Sequence, residues 1–94
     1  MTEPLVQVRV PSLLASHCDG LRALASSGAT ARDVLDRVCL SYPALRVHLL
    51  DETGELRQHV LCYVGDVDTR WRDGLDTKVE NGSEVTIVQA ISGG

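Results

Sequence analysis

The residues best suited to chemistry in this chain are its last two, Gly93 and Gly94. They close the stretch Glu84-Val-Thr-Ile-Val-Gln-Ala-Ile-Ser-Gly-Gly94. A tail without Cβ atoms can enter a narrow channel in extended form, and its backbone can approach a partner closely. What such a tail carries is the α-carboxylate of Gly94. A carboxylate is a poor electrophile until it is activated, for instance as an acyl-adenylate made by a separate ATP-using enzyme. The activated carbonyl is then open to attack by sulfur or by an amine. Gly94 is therefore the expected reactive group, with Ser92 and Gly93 as a slim lead-in and the remaining residues as its handle.

Other reactive residue types carry weaker patterns. Cys18, Cys39 and Cys62 are odd in number, widely spaced and lack a C-x-x-C pairing, so neither a disulfide framework nor a zinc site is expected. Cys39 falls on a helical apolar stripe and Cys62 in a strand, both core positions. Cys18 falls in a loop, where a thiol can be exposed, but nothing nearby would lower its pKa. His17, His48 and His59 have no metal-ligand spacing and read as surface or rim residues. Asp66 and Asp68 form a carboxylate pair in sequence, better explained as a solvated turn and edge strand. Trp71 reads as a cap over one end of the core. The chain has neither G-x-x-x-x-G-K-[ST] nor G-x-G-x-x-G, so it is not expected to bind ATP unaided, and no bound cofactor is expected.

The elements that would position the tail can be taken in order. Leu5–Val10 alternates, with Val6, Val8 and Val10 on one face, and Pro11 closes this first strand. Ser12–Gly20 reads as a connection ending in an Asp19-Gly20 turn, and Leu21–Ala25 as a strand returning in a hairpin. Thr30 and Asp33 form a capping-box-like pair opening the main helix. Its apolar stripe is Ala31, Val34, Leu35, Val38 and Cys39, and Pro43 stops it near Tyr42. Leu45–Leu50 fits either a helical turn or an extended piece. His59–Val64 is a strand, Val67–Arg70 a short edge strand, Trp71–Lys78 a loop or single helical turn, and Glu80–Ser83 a tight turn. Val85–Ile91 is β-branched and apolar on both faces, which suits a central strand.

These elements predict an α+β domain, a β-grasp (ubiquitin-like) mixed sheet with one main helix packed on one face, over residues 1–91. Residues 92–94 are then a flexible tail. A single helix cannot cover both apolar faces of the last strand. Val88 and Ala90 are the candidates for an exposed docking patch if Val85 and Ile87 face the helix; the sequence leaves this parity open.

Composition bounds the function. Ninety-four residues make one small domain, 44% hydrophobic without Phe, so the core is expected to be aliphatic. A net charge of −4 with scattered basic residues argues against nucleic acid and anionic membranes. The start of the chain has no apolar signal-type segment and no window of membrane-spanning length, so a cytoplasmic protein with reduced thiols is expected.

The segments Val8-Arg-Val-Pro11, Thr30-x-x-Asp-Val-Leu35, Tyr63-Val-Gly-Asp66 and Asn81-Gly-Ser-Glu-Val-Thr-Ile87, followed by Gly93-Gly94, resemble the ThiS/MoaD sulfur carriers. Leu45–Gln58 is longer than in the thiamine-pathway carriers, and Gln89-Ala90 stands where molybdopterin carriers commonly have prolines. The Val10–Leu14 opening and the Thr86–Gly94 ending resemble the cysteine-forming carriers of actinobacteria. The resemblance implies that an E1-like adenylyltransferase and sulfurtransferase activates Gly94, and that sulfur displaces AMP to leave a thiocarboxylate. A synthase then accepts the sulfur and a metalloprotease trims the product. The chain itself would be a carrier rather than an enzyme. Alternatives are a molybdopterin synthase small subunit, a ubiquitin-like modifier that forms isopeptide bonds, or an interaction domain whose diglycine is incidental.

Overall fold

The computed structural model describes residues 3–89. Leu5–Arg9 forms strand β1, in which Val6 and Val8 are buried while Leu5, Gln7 and Arg9 are exposed. The expected connection after it folds instead into a short helix, α1 (Ser12–Ala15), and a 3-10 turn, Ser16–Cys18. Helical spacing lets Leu14, Ala15 and Cys18 turn to one side and close an end of the core. Strand β2 is Ala23–Ser27, antiparallel to β1 and two residues later than the expected Leu21–Ala25. Leu21 is used up in the reversal, its N–H bonding the Cys18 carbonyl at 3.0 Å. Pairing with β1 then carries Ser26 and Ser27 into the ladder despite their low strand propensity.

The main helix, α2, spans Ala31–Ser41. Thr30 Oγ1 accepts from the Asp33 N–H at 3.3 Å, and the Asp33 carboxylate accepts from the Ala29 N–H at 3.3 Å. The shorter Asp side chain thus completes the cap one residue earlier than a Glu would. Ala31, Val34, Leu35, Val38 and Cys39 are all buried, as the periodicity requires. Gly28 lies against the first turn of α2 so closely that a Cβ there would sit 2.6 Å from the Asp33 Cβ. Pro43 ends α2 and also opens α3 (Pro43–Leu49), since its fixed φ suits a first helical position. The ambiguous Leu45–Leu50 stretch is therefore mostly helix, with Leu45 and Leu49 buried at i, i+4. Arg32 lies off the apolar stripe, yet it is half-buried and bonds Gly54, Glu55 and Asp76, tying α2 to two loops.

Strands β3 (Val60–Val64), β4 (Val67–Asp68) and β5 (Glu84–Gln89) complete a five-stranded sheet of order β2-β1-β5-β3-β4. β5 runs parallel to β1 and antiparallel to β3, which gives it the central place its composition indicates. The turn before it is pinned to β1: Gly82, at φ 87°, donates to the Leu5 carbonyl at 2.8 Å, and the Leu5 N–H donates to Asn81 Oδ1 at 2.9 Å. This architecture is the α+β β-grasp.

Three expectations need correction here. β4 stops at Asp68 rather than Arg70, because the Asp68 carboxylate accepts from the Arg70 N–H at 2.9 Å and starts the 3-10 turn Thr69–Trp71. Asp68 is buried, not solvated, and pairs with the Arg70 guanidinium at 2.9 Å; Asp66 is exposed. Trp71 does not cap the core. Its turn buries Thr69 and leaves the indole 78% exposed, while Leu75 and Val79 join the core instead.

Candidate functional site

The site begins with the phase of β5. Val85 and Ile87 are fully buried in the core cluster with the α2 stripe, whereas Val88 is 37% exposed. The parity left open by sequence is thus decided: Val85 and Ile87 face the helix and Val88 faces away. Ala90, Ser92, Gly93 and Gly94 lie outside the described residues.

Cross-strand register builds the rest of the outer face. Val88 lies opposite Leu61, and Thr86 lies between Tyr63 on β3 and Arg9 on β1. Leu61 and Tyr63 are half-buried, and their strand neighbours Val60 and Cys62 are buried on the other side. Arg9 and Glu84 close the polar side, with Arg9 Nε 2.6 Å from Glu84 Oε2. The result is a small apolar strip of Leu61, Tyr63 and Val88 beside a charged pair, on the strand that leads to the tail. Sequence reasoning singled out Val88 but missed Leu61 and Tyr63. The signal was present, since alternation through His59–Val64 with Cys62 inside puts both of them outside.

The thiols are not arranged for nucleophilic work. Cys18, Cys39 and Cys62 are all buried and none is in a disulfide. The loop position of Cys18 does not expose it: α1 and its 3-10 turn carry the thiol inside, where it donates to the Leu21 carbonyl at 3.2 Å. Burial, with Asp19 adding to it, pushes the Cys18 thiol up. Burial does the same to Cys39, and pushes the Cys62 thiol up to about 12, with nearby Asp68 reinforcing it. Since the thiolate is the nucleophile, these shifts favour inert thiols. His17 and His48 stack face to face with ring centroids 4.2 Å apart, holding the first 3-10 turn against α3. Among the described residues, no group of three or more His, Cys, Asp or Glu could hold a metal ion, and no helix is long and apolar enough to cross a membrane.

A central strand with an apolar strip on its free face, a single capped helix beneath it and a diglycine after it can be set against known proteins. The ThiS family matches residues 15–94. The chain belongs to the ThiS family. It is 34% identical over 91 residues to the sulfur carrier protein CysO of Mycobacterium tuberculosis, covering 95% of this chain and 98% of that protein. The crystal structure of the Amycolatopsis orientalis BexX/CysO complex contains a chain that superposes with a TM-score of 0.88 at 31% identity, covering 95% of this chain and 99% of the other. Small archaeal modifier protein 1 of Methanosarcina acetivorans superposes with a TM-score of 0.83 at 28% identity over the full length of both chains. This ThiS-family chain is thus similar to sulfur carriers of the CysO type and, in fold, to a modifier.

Proposed function

We propose that this ThiS-family protein is a sulfur carrier. An E1-like enzyme adenylates the Gly94 carboxylate at the expense of ATP, releasing pyrophosphate. A sulfur donor then displaces AMP to leave a thiocarboxylate on Gly94. The sulfur is passed to an acceptor synthase, in the cysteine-forming route or a related one, and a processing metalloprotease restores the diglycine. The chain binds no cofactor of its own and works in the cytoplasm. Its own parts are passive: β5 presents Ser92, Gly93 and Gly94, and the outer face around Val88 and Ala90 docks on the activating enzyme. The observation that carries this reading is the ThiS-family match, which runs through the diglycine, together with similarity to CysO over nearly the whole chain.

The experiment is intact-mass analysis after incubation with an E1-like enzyme, ATP and sulfide. Replacement of the terminal carboxylate oxygen by sulfur should raise the mass by about 16 Da, one S for one O, and deletion of Gly94 should abolish it. Loading that survived the deletion would refute the reading. Similarity to an archaeal modifier favours a second reading, in which the activated Gly94 is attacked by a lysine amine. In that case conjugates would appear without added sulfide and the thiocarboxylate would not accumulate.

A further inference from the structure

The carrier function leaves the outer edge of β2 unused. Among the described residues, β2 ends the sheet, with β1 on one side and no strand on the other. In an antiparallel ladder, residues alternate between those that exchange bonds with the partner and those that point away. The Arg22 carbonyl accepts from the Val10 N–H at 2.9 Å and the Gly28 N–H donates to the Pro4 carbonyl at 3.1 Å. Even-numbered residues of this segment therefore bond β1, and Ala23, Ala25 and Ser27 aim their N–H and C=O groups at the open edge. Native edges are commonly blunted by Lys, Pro or bulges. Here the residues that face the edge, Ala23, Ala25 and Ser27, carry only Ala and Ser side chains.

Beside the edge, between β2 and α2, runs an open groove of about 320 Å³ lined by Leu21, Leu24, Val38, Ser41, Tyr42 and Arg37. Leu21 is 45% exposed. Arg37 donates to Ser27 Oγ at 2.7 Å and to the Glu3 carboxylate at 2.6 Å. Glu3 lies in the segment ahead of β1, and its pair with Arg37 is about half exposed on both sides. Pairs so exposed contribute little, so another carboxylate can take its place.

We propose that the β2 edge and the β2/α2 groove form a second docking site, for an extended segment of a partner protein added as a sixth strand. An aliphatic side chain of that segment fills the groove over Leu24 and Val38, and an Asp or Glu replaces Glu3 on Arg37. Main-chain bonds to Ala23, Ala25 and Ser27 supply affinity, and the groove and Arg37 supply selectivity. A second copy of this chain fits the edge poorly. Antiparallel pairing about Ala25 would bring Arg22 of one copy beside Gly28 of the other, near Arg37. A strand of Ala and Ser also buries far less than the ~1,200 Å² of a stable interface. Because β1 separates β2 from β5, the site can be filled while the tail is engaged.

The test selects displayed random nonapeptides on the full chain and titrates the enriched peptides into isotope-labelled protein. Enriched sequences should carry an aliphatic residue and a nearby Asp or Glu, and should shift the Ala23, Ala25 and Ser27 amides. Arg37→Gln should weaken binding a few-fold, since the pair that Arg37 makes with the peptide carboxylate stays partly exposed. Ala25→Pro should abolish it, since it removes a free-edge donor without touching the β1 ladder; deleting Gly94 should leave it unchanged. Melting curves check both variants, and if Ala25→Pro fails to fold, Arg37→Gln decides. No enrichment, shifts confined to the Val88 face, or binding indifferent to Arg37→Gln would overturn the proposal. So would a concentration-dependent dimer in sedimentation with the same edge buried.

Discussion

Ile87 and Val88 are adjacent on β5, both β-branched and aliphatic, and the fold treats them oppositely. Ile87 is 2% exposed, within the core cluster that holds the α2 stripe; Val88 is 37% exposed, opposite Leu61 on the face turned away from α2. Composition alone makes the two residues equivalent. Strand phase separates them, and phase is set by which side the capped helix lies on. The lesson is that an apolar residue on the uncovered side is not explained by the folding of this domain. In the proposed carrier cycle the outer strip is a part of the sheet that the activating enzyme covers.

The largest effects should break that comparison directly. Ile87→Asp strands a charge in the core, a change that exceeds ~4 kcal/mol and approaches the whole stability of a small domain. The protein should be unfolded at room temperature by circular dichroism. Val88→Asp keeps its charge in water and should shift the melting midpoint by only a few degrees. In the proposed carrier cycle it should still slow adenylation, because the carboxylate must be desolvated when the strip is covered. If Val88→Asp unfolded and Ile87→Asp did not, the strand phase would be wrong.

The two faces also differ in how readable they were. The inner face was legible because burial imposes period: Val6 and Val8, Val85 and Ile87, and the α2 stripe each repeat at the spacing of their element. The part of the core contributed by these strands and by α2 therefore followed from sequence. Pieces outside regular period were not legible. α1 has only four residues, too few to show a helical repeat, so its burial of Leu14 and the neighbouring Cys18 was hidden. Trp71 misled because size suggests burial, yet a 3-10 turn begun by the Asp68 carboxylate fixes its direction. The outer strip was half-legible: Val88 was named, and alternation puts Leu61 and Tyr63 on the outside, but their place beside Val88 and Thr86 needed the register between β3 and β5.

Asp66 and Asp68 give the same contrast at a smaller scale. Asp68 is buried against Arg70, whose guanidinium bonds first and backbone N–H second hold its carboxyl below the usual carboxylate range; Asp66 is exposed. Asp68→Asn should cost about 1–3 kcal/mol, the range for losing charge-assisted bonds to a buried acceptor. Asp66→Asn should cost almost nothing. A folded pKa below the unfolded one means that this contribution is present above the unfolded value of ~3.9 and is lost as pH falls through the folded value. Urea melts from pH 6 down to pH 2 should therefore show a shallower acid loss in Asp68→Asn than in the parent.

The thiols sharpen the inner side at the opposite end of the pH scale. Burial pushes Cys62 up to about 12, while the unfolded thiol ionises near ~8.5. Between these values the unfolded chain has released a proton that the folded chain keeps. Stability is thus complete below the unfolded value and falls as pH rises through the window, with a limiting slope of ~1.4 kcal/mol per pH unit for one thiol. Cys62→Ala should remove part of the slope between pH 8 and 10. An unchanged slope would mean that the Cys62 thiol is not held neutral by the core.

The smallest effect belongs to the outer face and separates folding from recognition. Arg9 and Glu84 pair at 2.6 Å across β1 and β5, but their side chains are 57% and 43% exposed. Solvent screens such a pair and both side chains lose rotamer freedom, so a double-mutant cycle should give no more than ~1 kcal/mol. Its value for docking can be quite different, because covering the strip next to it excludes water and strengthens every charge at the rim. Arg9→Ala and Glu84→Ala should therefore melt near the parent temperature yet change the rate and salt dependence of loading by the activating enzyme. If the two variants altered stability and loading in parallel, the pair would belong to the fold. If they changed loading alone, the outer face would be read by the partner.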